Sequence, residues 1–475
     1  MKLKLVVASM SILGLVSGSV VAATADTTTT TTTTTTTDMT APAPKHHHHH
    51  KKHHHHAQHN YKDYKDMGQP ICTVSTTDLT MIAMTQNVDR ALNNPCNPGW
   101  FNRISVSGGV NVDLGKWGNR NANIMGENYQ RLSLNDAYIN IGATVNEWAK
   151  AFASISFSNP TTNADGSTYK GLGAAEYSAS YANNVNGNGN NVVQLEQAYA
   201  TLGNFDVYPI FLQVGKQFQE FSRYEIHPIT ASMTQVMSET LATSAKLGIL
   251  VPAGFHGSVY VFDDPINKIG NSSTPTNYGV SVGYDQINDQ CGWDIGAAYL
   301  YNLIGANDVA YNVVNFTQTG GYHTRVGAAA AYADLNAGPF TVGVRYTTAV
   351  QRFNASDIPQ NGAADLVGGA IVPGIASVPL ASATGARPWA AGIQAGYAFN
   401  AWDKNQNIYV GYQASREAAG LDLPRSRWLV GYDMSVWKDT IAAIEWDHDS
   451  AFSVSDGGTG NTTNLVSLRV GVKFS

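Results

Sequence analysis

Residues 104–114 read ISVSGGVNVDL, and their period is two. Ile104, Val106, Gly108, Val110, Val112 and Leu114 fall on one face, and Ser, Gly, Asn and Asp fall between them. An amphipathic helix would space its apolar residues at three and four, so this pattern specifies a half-buried strand. The same period returns in PFTVGVRYTT (339–348), NIYVGYQASR (407–416) and NLVSLRVGVKF (464–474). Counting such segments from Trp100 onward gives about sixteen, among them 129–143, 192–203, 209–218, 241–251, 322–335 and 425–436.

The connections between these segments alternate in length. Those after the even-numbered segments are short, as in PAG (252–254) and NAGP (336–339); those after the odd ones are mostly longer and rich in Asn, Gly, Ser and Thr, the largest being 159–191 and 351–387. Short turns on one side, long loops on the other and an even strand count specify an all-β fold, an antiparallel transmembrane barrel of the outer-membrane kind. A soluble sandwich would not alternate its loop lengths this way. One face of a strand carries Trp428, Val430, Tyr432, Met434 and Val436, and another carries Trp389, Ala391, Ile393, Ala395, Tyr397 and Phe399. Aromatics at strand ends with aliphatics between them fit girdles around a lipid-facing band. The chain closes on Leu468, Val470, Val472 and Phe474 in alternation, although Ser475 follows the Phe. Two segments echo each other, LNDAYINIG (134–142) and LEQAYATLG (195–203), which reads as two strands in similar surroundings.

Bulk composition agrees. Of 475 residues only 13% are charged, against about 25% in ordinary soluble domains. The net charge of −6 offers no basic stripe for nucleic acid. After the N-terminus no run of about 18 apolar residues occurs, which excludes a helical membrane protein. Lys2 and Lys4 followed by an apolar core from Leu5 to Val16 and small residues near Ala23 specify a signal peptide over 1–25. Residues 26–70 contain eleven consecutive threonines and a His/Lys tract with almost nothing to bury, so disorder is expected there. Residues 71–98 read as a short amphipathic helix bracketed by Cys72 and Cys96, an expected disulfide in an oxidising compartment, with Cys291 left over. The barrel occupies 99–475.

If the apolar face meets lipid, the opposite face lines a lumen. That face carries Arg427 and Asp433, then Glu445, Asp447 and Asp449, then Arg469 and Lys473, with Arg325 and Arg345 on two other strands. Two readings stay open. Facing rows of acids and bases would set a field across a pore and select solutes; alternatively, the charges pair across neighbouring strands and hydrate the wall. Enzymatic motifs are missing: there is no GxSxG and no HExxH. His448 lies between Asp447 and Asp449 but alternates to the opposite face, so no catalytic residue is expected.

In the segment 212–265, GKQF (215–218) follows an AY strand (Ala198, Tyr199) ending at Gly203, and an acidic loop through HPIT and SET leads into GFHGSVYVF (254–262). On these features the sequence resembles the LbtU-type siderophore porins of Gram-negative bacteria. The resemblance implies a sixteen-stranded barrel that takes up a ferric siderophore without a plug domain. It also implies that Glu220, Arg223, Glu225, His227 and Glu239, in the matching loop, contact a charged chelate near a constriction. Two other functions remain open: a general diffusion porin whose 351–387 loop folds into the lumen, and a surface structural or adhesin barrel. The expected partners are outer-membrane lipid and a small solute, with a homotrimer as the assembly to test.

Ten of the fourteen histidines fall at His46, His47, His48, His49, His50, His53, His54, His55, His56 and His59. Both barrel ends belong on the short-turn side, so the tract is expected in the periplasm. Neutral imidazoles on a flexible chain bind Zn²⁺, Cu²⁺ or Ni²⁺ loosely, without fixed geometry; a spacer without such a role is the alternative. No cofactor is required.

Overall fold

The period-two segments form sixteen antiparallel strands that close into one barrel. They are β1 (Ile104–Gly118), β2 (Tyr129–Asn146), β3 (Ala149–Ser158), β4 (Val192–Leu202), β5 (Ile210–Phe218), β6 (Leu241–Leu250), β7 (Phe255–Phe262) and β8 (Asn277–Ile287). The second half comprises β9 (Cys291–Leu300), β10 (Ala328–Ala337), β11 (Phe340–Ala349), β12 (Trp389–Ala401), β13 (Lys404–Arg416), β14 (Ser426–Trp437), β15 (Thr440–Ser450) and β16 (Thr462–Phe474). This computed structural model describes residues 104–118, 129–146, 148–158, 161–162, 168–169, 192–204, 207–223, 229–251, 253–270, 277–287, 291–317, 321–361, 384–421, 423–458 and 460–474. The expected signal peptide, the Thr and His tracts, and the helix between Cys72 and Cys96 lie outside the described residues.

Each strand bonds its sequence neighbours, and β16 returns to β1 with Val470 opposite Val112 and Leu468 opposite Leu114. Closure leaves no unpaired strand edge, which lipid would not tolerate. The short turns gather at one rim. In the β12–β13 hairpin Ala401 faces Lys404, and Trp402 and Asp403 between them take φ of 53° and 55°. Positive φ at both central residues gives the turn whose twist matches the flanking strands. Ile104 lies opposite Ala143 and Phe474 opposite Gly108, so both barrel ends sit at this rim.

The outer surface is apolar. Val110, Ile393, Ile408, Val430, Ile444, Leu468 and Val470 are exposed and alternate with buried inward residues. A water-soluble protein does not leave such a contiguous band uncovered. Trp148, Tyr208, Phe340, Trp402 and Trp437 are exposed near the short-turn rim, where amphipathic rings favour the lipid headgroup level. The band and girdle mark a membrane-spanning barrel.

The echoed sequences share a structural irregularity. The β1–β2 register slips so that Asn111 faces Asp136 while Val112 faces Leu134, and the β3–β4 register slips so that Ser154 faces Gln197 while Ile155 faces Leu195. The extra residue is therefore Asn135 in one copy and Glu196 in the other, the second residue of each echo. Such a bulge aims two successive side chains the same way, and Glu196 and Gln197 are both buried on the lumen side.

The inner space holds a packed apolar cluster that the period-two reading did not foresee. It includes Phe221, Met233, Val236, Met237, Leu303, Val309, Val313, Phe353 and Leu421, packed on Tyr260, Phe262, Leu300 and Ala390 of the wall. Two helices carry part of it: α1 (Met233–Ser238) and α2 (Asn307–Thr317). Ser232 caps α1, its Oγ accepting from the Gln235 amide at 3.1 Å. In α2, Val309, Ala310 and Val313 recur at helical spacing and are buried. The described ends of the 351–387 loop also enter the cluster, through Phe353, Ile358 and Ala386.

One strand departs furthest from its expected bounds. The segment read as 322–335 begins at Ala328, because Gly321–Tyr322 pairs instead with Asn267–Lys268. The Tyr322 hydroxyl donates to Asp264 at 2.9 Å, which draws this stretch away from the barrel ladder. Arg325 therefore does not line a strand face. It lies in the connection before β10, its guanidinium 5.9 Å from the Tyr301 ring centroid.

Candidate functional site

The described parts of the connection from β5 to β6, residues 219–223 and 229–240, lie inside the barrel and are bonded to both sides of it. We call this connection the strap. Its first anchor is Glu220, which is buried. Lys246 on β6 donates to Glu220 Oε1 at 3.0 Å; Ser258 on β7 and Ser281 on β8 donate to Oε2, the latter at 3.1 Å. One carboxylate thus ties three successive strands. Burial alone would raise the Glu220 pKa, but Lys246 and the Ser258 hydroxyl outweigh it and hold the group below the usual carboxylate range.

Arg223 is the second anchor. Its guanidinium pairs with Asp294 on β9, lies 3.7 Å from Asp334 on β10, and stacks 4.6 Å from the centroid of the Tyr332 ring. Burial, the largest single influence, favours a neutral guanidinium, yet Asp294, Tyr332, Asp334 and Asp285 together outweigh it and raise the pKa, so the charge is retained. Arg345 on β11 joins the same group, 2.7 Å from Asp334.

The other anchors lie on β13 to β15. The Thr230 amide donates to Glu445 at 2.8 Å, and its hydroxyl donates to Asp447 at 2.7 Å. Arg427 donates to the Ala231 carbonyl at 3.0 Å, and the Met233 amide donates to Gln413 at 2.8 Å. Tyr409 donates to the second oxygen of Glu445 at 2.8 Å. Because Glu445 and Asp447 are two apart on β15, both face inward and can receive one residue's amide and hydroxyl together.

The remaining charges pair along the wall. Arg427 grips Asp449, its register partner on the next strand, through two bonds of 2.7 and 2.8 Å. Arg469 grips Asp113 across the β16–β1 closure through two bonds of 2.7 Å. The facing-rows arrangement is thus replaced, for these arginines, by cross-strand forks, since a partly desolvated guanidinium gains most from a bidentate partner. Asp433 accepts from Asn407 at 3.0 Å. Lys473 is half-buried near the short-turn rim.

Of the loop residues, Glu220 and Arg223 converge on the wall. Glu239 closes α1 instead: its backbone amide bonds Gln235 O, and its carboxylate accepts from the Gln235 side chain at 2.8 Å. Glu225 and His227 lie outside the described residues. His448 points outward, stacked on Trp446 at 5.9 Å. The partners that complete the site, Thr230, Lys246, Asp294, Asp334 and Gln413, were not singled out from sequence. For the four on strands the one signal is a charge or amide at an inward position of a period-two segment, as for Asp294 in GWDIGAAYL; Thr230, in the strap, carries none.

The AY and GKQF motifs have a packing explanation. Tyr199 lies opposite Gly215 in the β4–β5 pair and Ala198 opposite Lys216. Gly215 takes φ of 139°, and a Cβ there would lie 2.2 Å from the Ala198 carbonyl oxygen. The motifs are two sides of one strand contact that requires glycine.

No family model matches the chain. It is similar to UPF0422 proteins of Coxiella burnetii (26% identity over 356 residues, 74% of this chain) and Legionella pneumophila (25% over 409 residues, 75% of this chain). The match spans 64% of the Coxiella protein and 72% of the Legionella one. Among solved structures it is similar to the anion-selective porin from Comamonas acidovorans (TM-score 0.48, 10% identity, 78% of this chain and 99% of that one). It is also similar to the outer membrane channel DcaP of Acinetobacter baumannii (TM-score 0.47, 10% identity, 78% and 97%).

Proposed function

We propose that this protein is an outer-membrane channel in which the strap narrows the lumen to a selective path for small charged solutes. The observation that carries the reading is a loop fixed by buried charges to opposing parts of the barrel wall. A barrel of this size without such an obstruction encloses a wide aqueous channel. The finer reading takes a ferric siderophore, or a similar small chelate, as the solute; it is supported by the resemblance of residues 198–262. Reconstitution in planar bilayers, paired with iron-chelate uptake by a deletion strain, tests both levels. The expected result is a small conductance and slowed uptake under iron limitation. Large open channels passing unrelated sugars would instead identify a general diffusion porin, and unaltered growth on the cell's own chelate would remove the siderophore.

The chain enters the barrel at the short-turn rim, which supports placing the preceding His tract in the periplasm. There its imidazoles would hold Zn²⁺, Cu²⁺ or Ni²⁺ at neutral pH and release them below about pH 6, as they become protonated. Deleting residues 46–59 is expected to abolish this binding in equilibrium dialysis; unchanged metal content would assign the tract to spacing alone.

A further inference from the structure

Arg223 occupies a seat with the features of a ligand site. Asp294 and Asp334 approach its guanidinium from β9 and β10, and the Tyr332 ring lies beneath it at 4.6 Å. Glycines make room for this floor: a Cβ at Gly283 would lie 2.2 Å from the His256 ring and 2.7 Å from the Tyr332 hydroxyl, and one at Gly296 would lie 2.4 Å from the Tyr332 ring. The surroundings hold more hydrogen-bonding capacity than the strap uses. Arg223 Nε, His256 Nδ1 and Asp334 Oδ2 have no hydrogen-bond partner among the described residues, and each of these side chains is over nine-tenths buried. His256 Nε2 stands 3.5 Å from Asp294 Oδ1, so its ring is aimed at the same carboxylate.

We propose that Asp294, Asp334 and the Tyr332 ring form a cation-binding cage on the inner wall, filled in the resting protein by the strap's own Arg223 and open to solutes that carry a guanidinium or primary ammonium group. Two carboxylates and an aromatic face are the complement of a planar cation with several N–H donors. Arg345 already balances Asp334, whereas Asp294 has Arg223 as its closest cation, with His256 at 3.5 Å, so the seat without Arg223 carries a carboxylate that has lost its closest cation. A solute that supplies the cation displaces Arg223 and frees this end of the strap. The cage rests on the reading of the barrel as a solute channel, and it names the chemistry that the channel admits.

The test uses the full chain refolded in detergent and titrated calorimetrically with agmatine, which carries both cationic groups. Arg223→Gln removes the internal competitor and is expected to bind agmatine about tenfold more tightly than the unsubstituted protein. The gain is expected to vanish in Arg223→Gln combined with Asp294→Asn. Arg223→Lys leaves a charge in the seat without the planar fork; it is expected to give a smaller gain and serves if the glutamine variant does not fold. Tetramethylammonium, a cation without hydrogen-bond donors, is expected to bind none of the variants measurably. Equal agmatine affinity in all variants, or equal binding of tetramethylammonium, would overturn the cage and reduce Arg223 to a structural anchor. The titration does not depend on conduction, so a silent barrel in bilayers bears on the channel reading, and absent agmatine binding bears on the cage.

Discussion

Replacing residues 221–238 with a short Gly-Ser turn will raise single-channel conductance roughly several-fold, because the strap and α1 fill space that a sixteen-stranded barrel otherwise leaves to water. The barrel itself should persist, since its closure depends on strand pairing and not on the strap. Ion preference should change with a predictable sign. Removing Arg223 and Thr230 deprives Asp294, Glu445 and Asp447 of partners on the strap. Newly hydrated and facing the lumen, these carboxylates attract cations. The shortened protein should therefore shift its reversal potential towards cation selectivity in a salt gradient. The shift should weaken at high ionic strength, as screening shortens the reach of exposed charge. A conductance equal to that of the full chain would mean that the strap does not obstruct the conducting path.

Much of the barrel was legible because lipid on one face and water on the other impose a strict period of two, and each strand then announces itself locally. The strand ends were read to within a few residues wherever the ladder alone determines them, as at 425–436 against Ser426–Trp437. Where a tertiary contact competes, the local signal fails: Tyr322 alternates properly but is claimed by Asp264, so β10 starts six residues late. The interior was less legible for a related reason. Met233, Val236 and Met237 form one face of a single helical turn, too short to stand out against loop composition. Their burial depends on wall strands more than a hundred positions away, β11 to β13. The charges on the wall were visible, but their partners were not. Alternation says which way Arg427 and Asp449 point and cannot say that they are register partners. The resemblance puts Glu220 near a constriction, whereas nothing local marks Lys246, the group that fixes it.

That pairing yields the largest expected effect on stability. Glu220→Ala should lower barrel stability by about 3–5 kcal/mol, because it strands the Lys246 ammonium in the interior with its counter-charge gone. Lys246 is fully buried, and its other hydrogen bond, to the Phe218 carbonyl at 3.3 Å, cannot offset the loss of the carboxylate. Glu220→Gln should cost less. It keeps a carbonyl oxygen for the hydroxyls of Ser258 and Ser281, while its amide nitrogen faces Lys246, which loses both the ionic attraction and its side-chain acceptor. Urea unfolding of the protein in lipid vesicles, followed by tryptophan fluorescence, measures both. The difference between wild type and Glu220→Gln also has a defined pH dependence. The folded carboxylate titrates below its unfolded value of about 4.3, so its ionised form stabilises the fold at every pH above that value. The difference should thus stay constant from neutral pH to roughly 5 and shrink only as pH falls through the folded pKa. A difference that already fades between roughly pH 7 and 5 would mean that Glu220 sits protonated beside Lys246. In that case the strap would be held at this wall by neutral hydrogen bonds, and alanine and glutamine would differ far less than predicted.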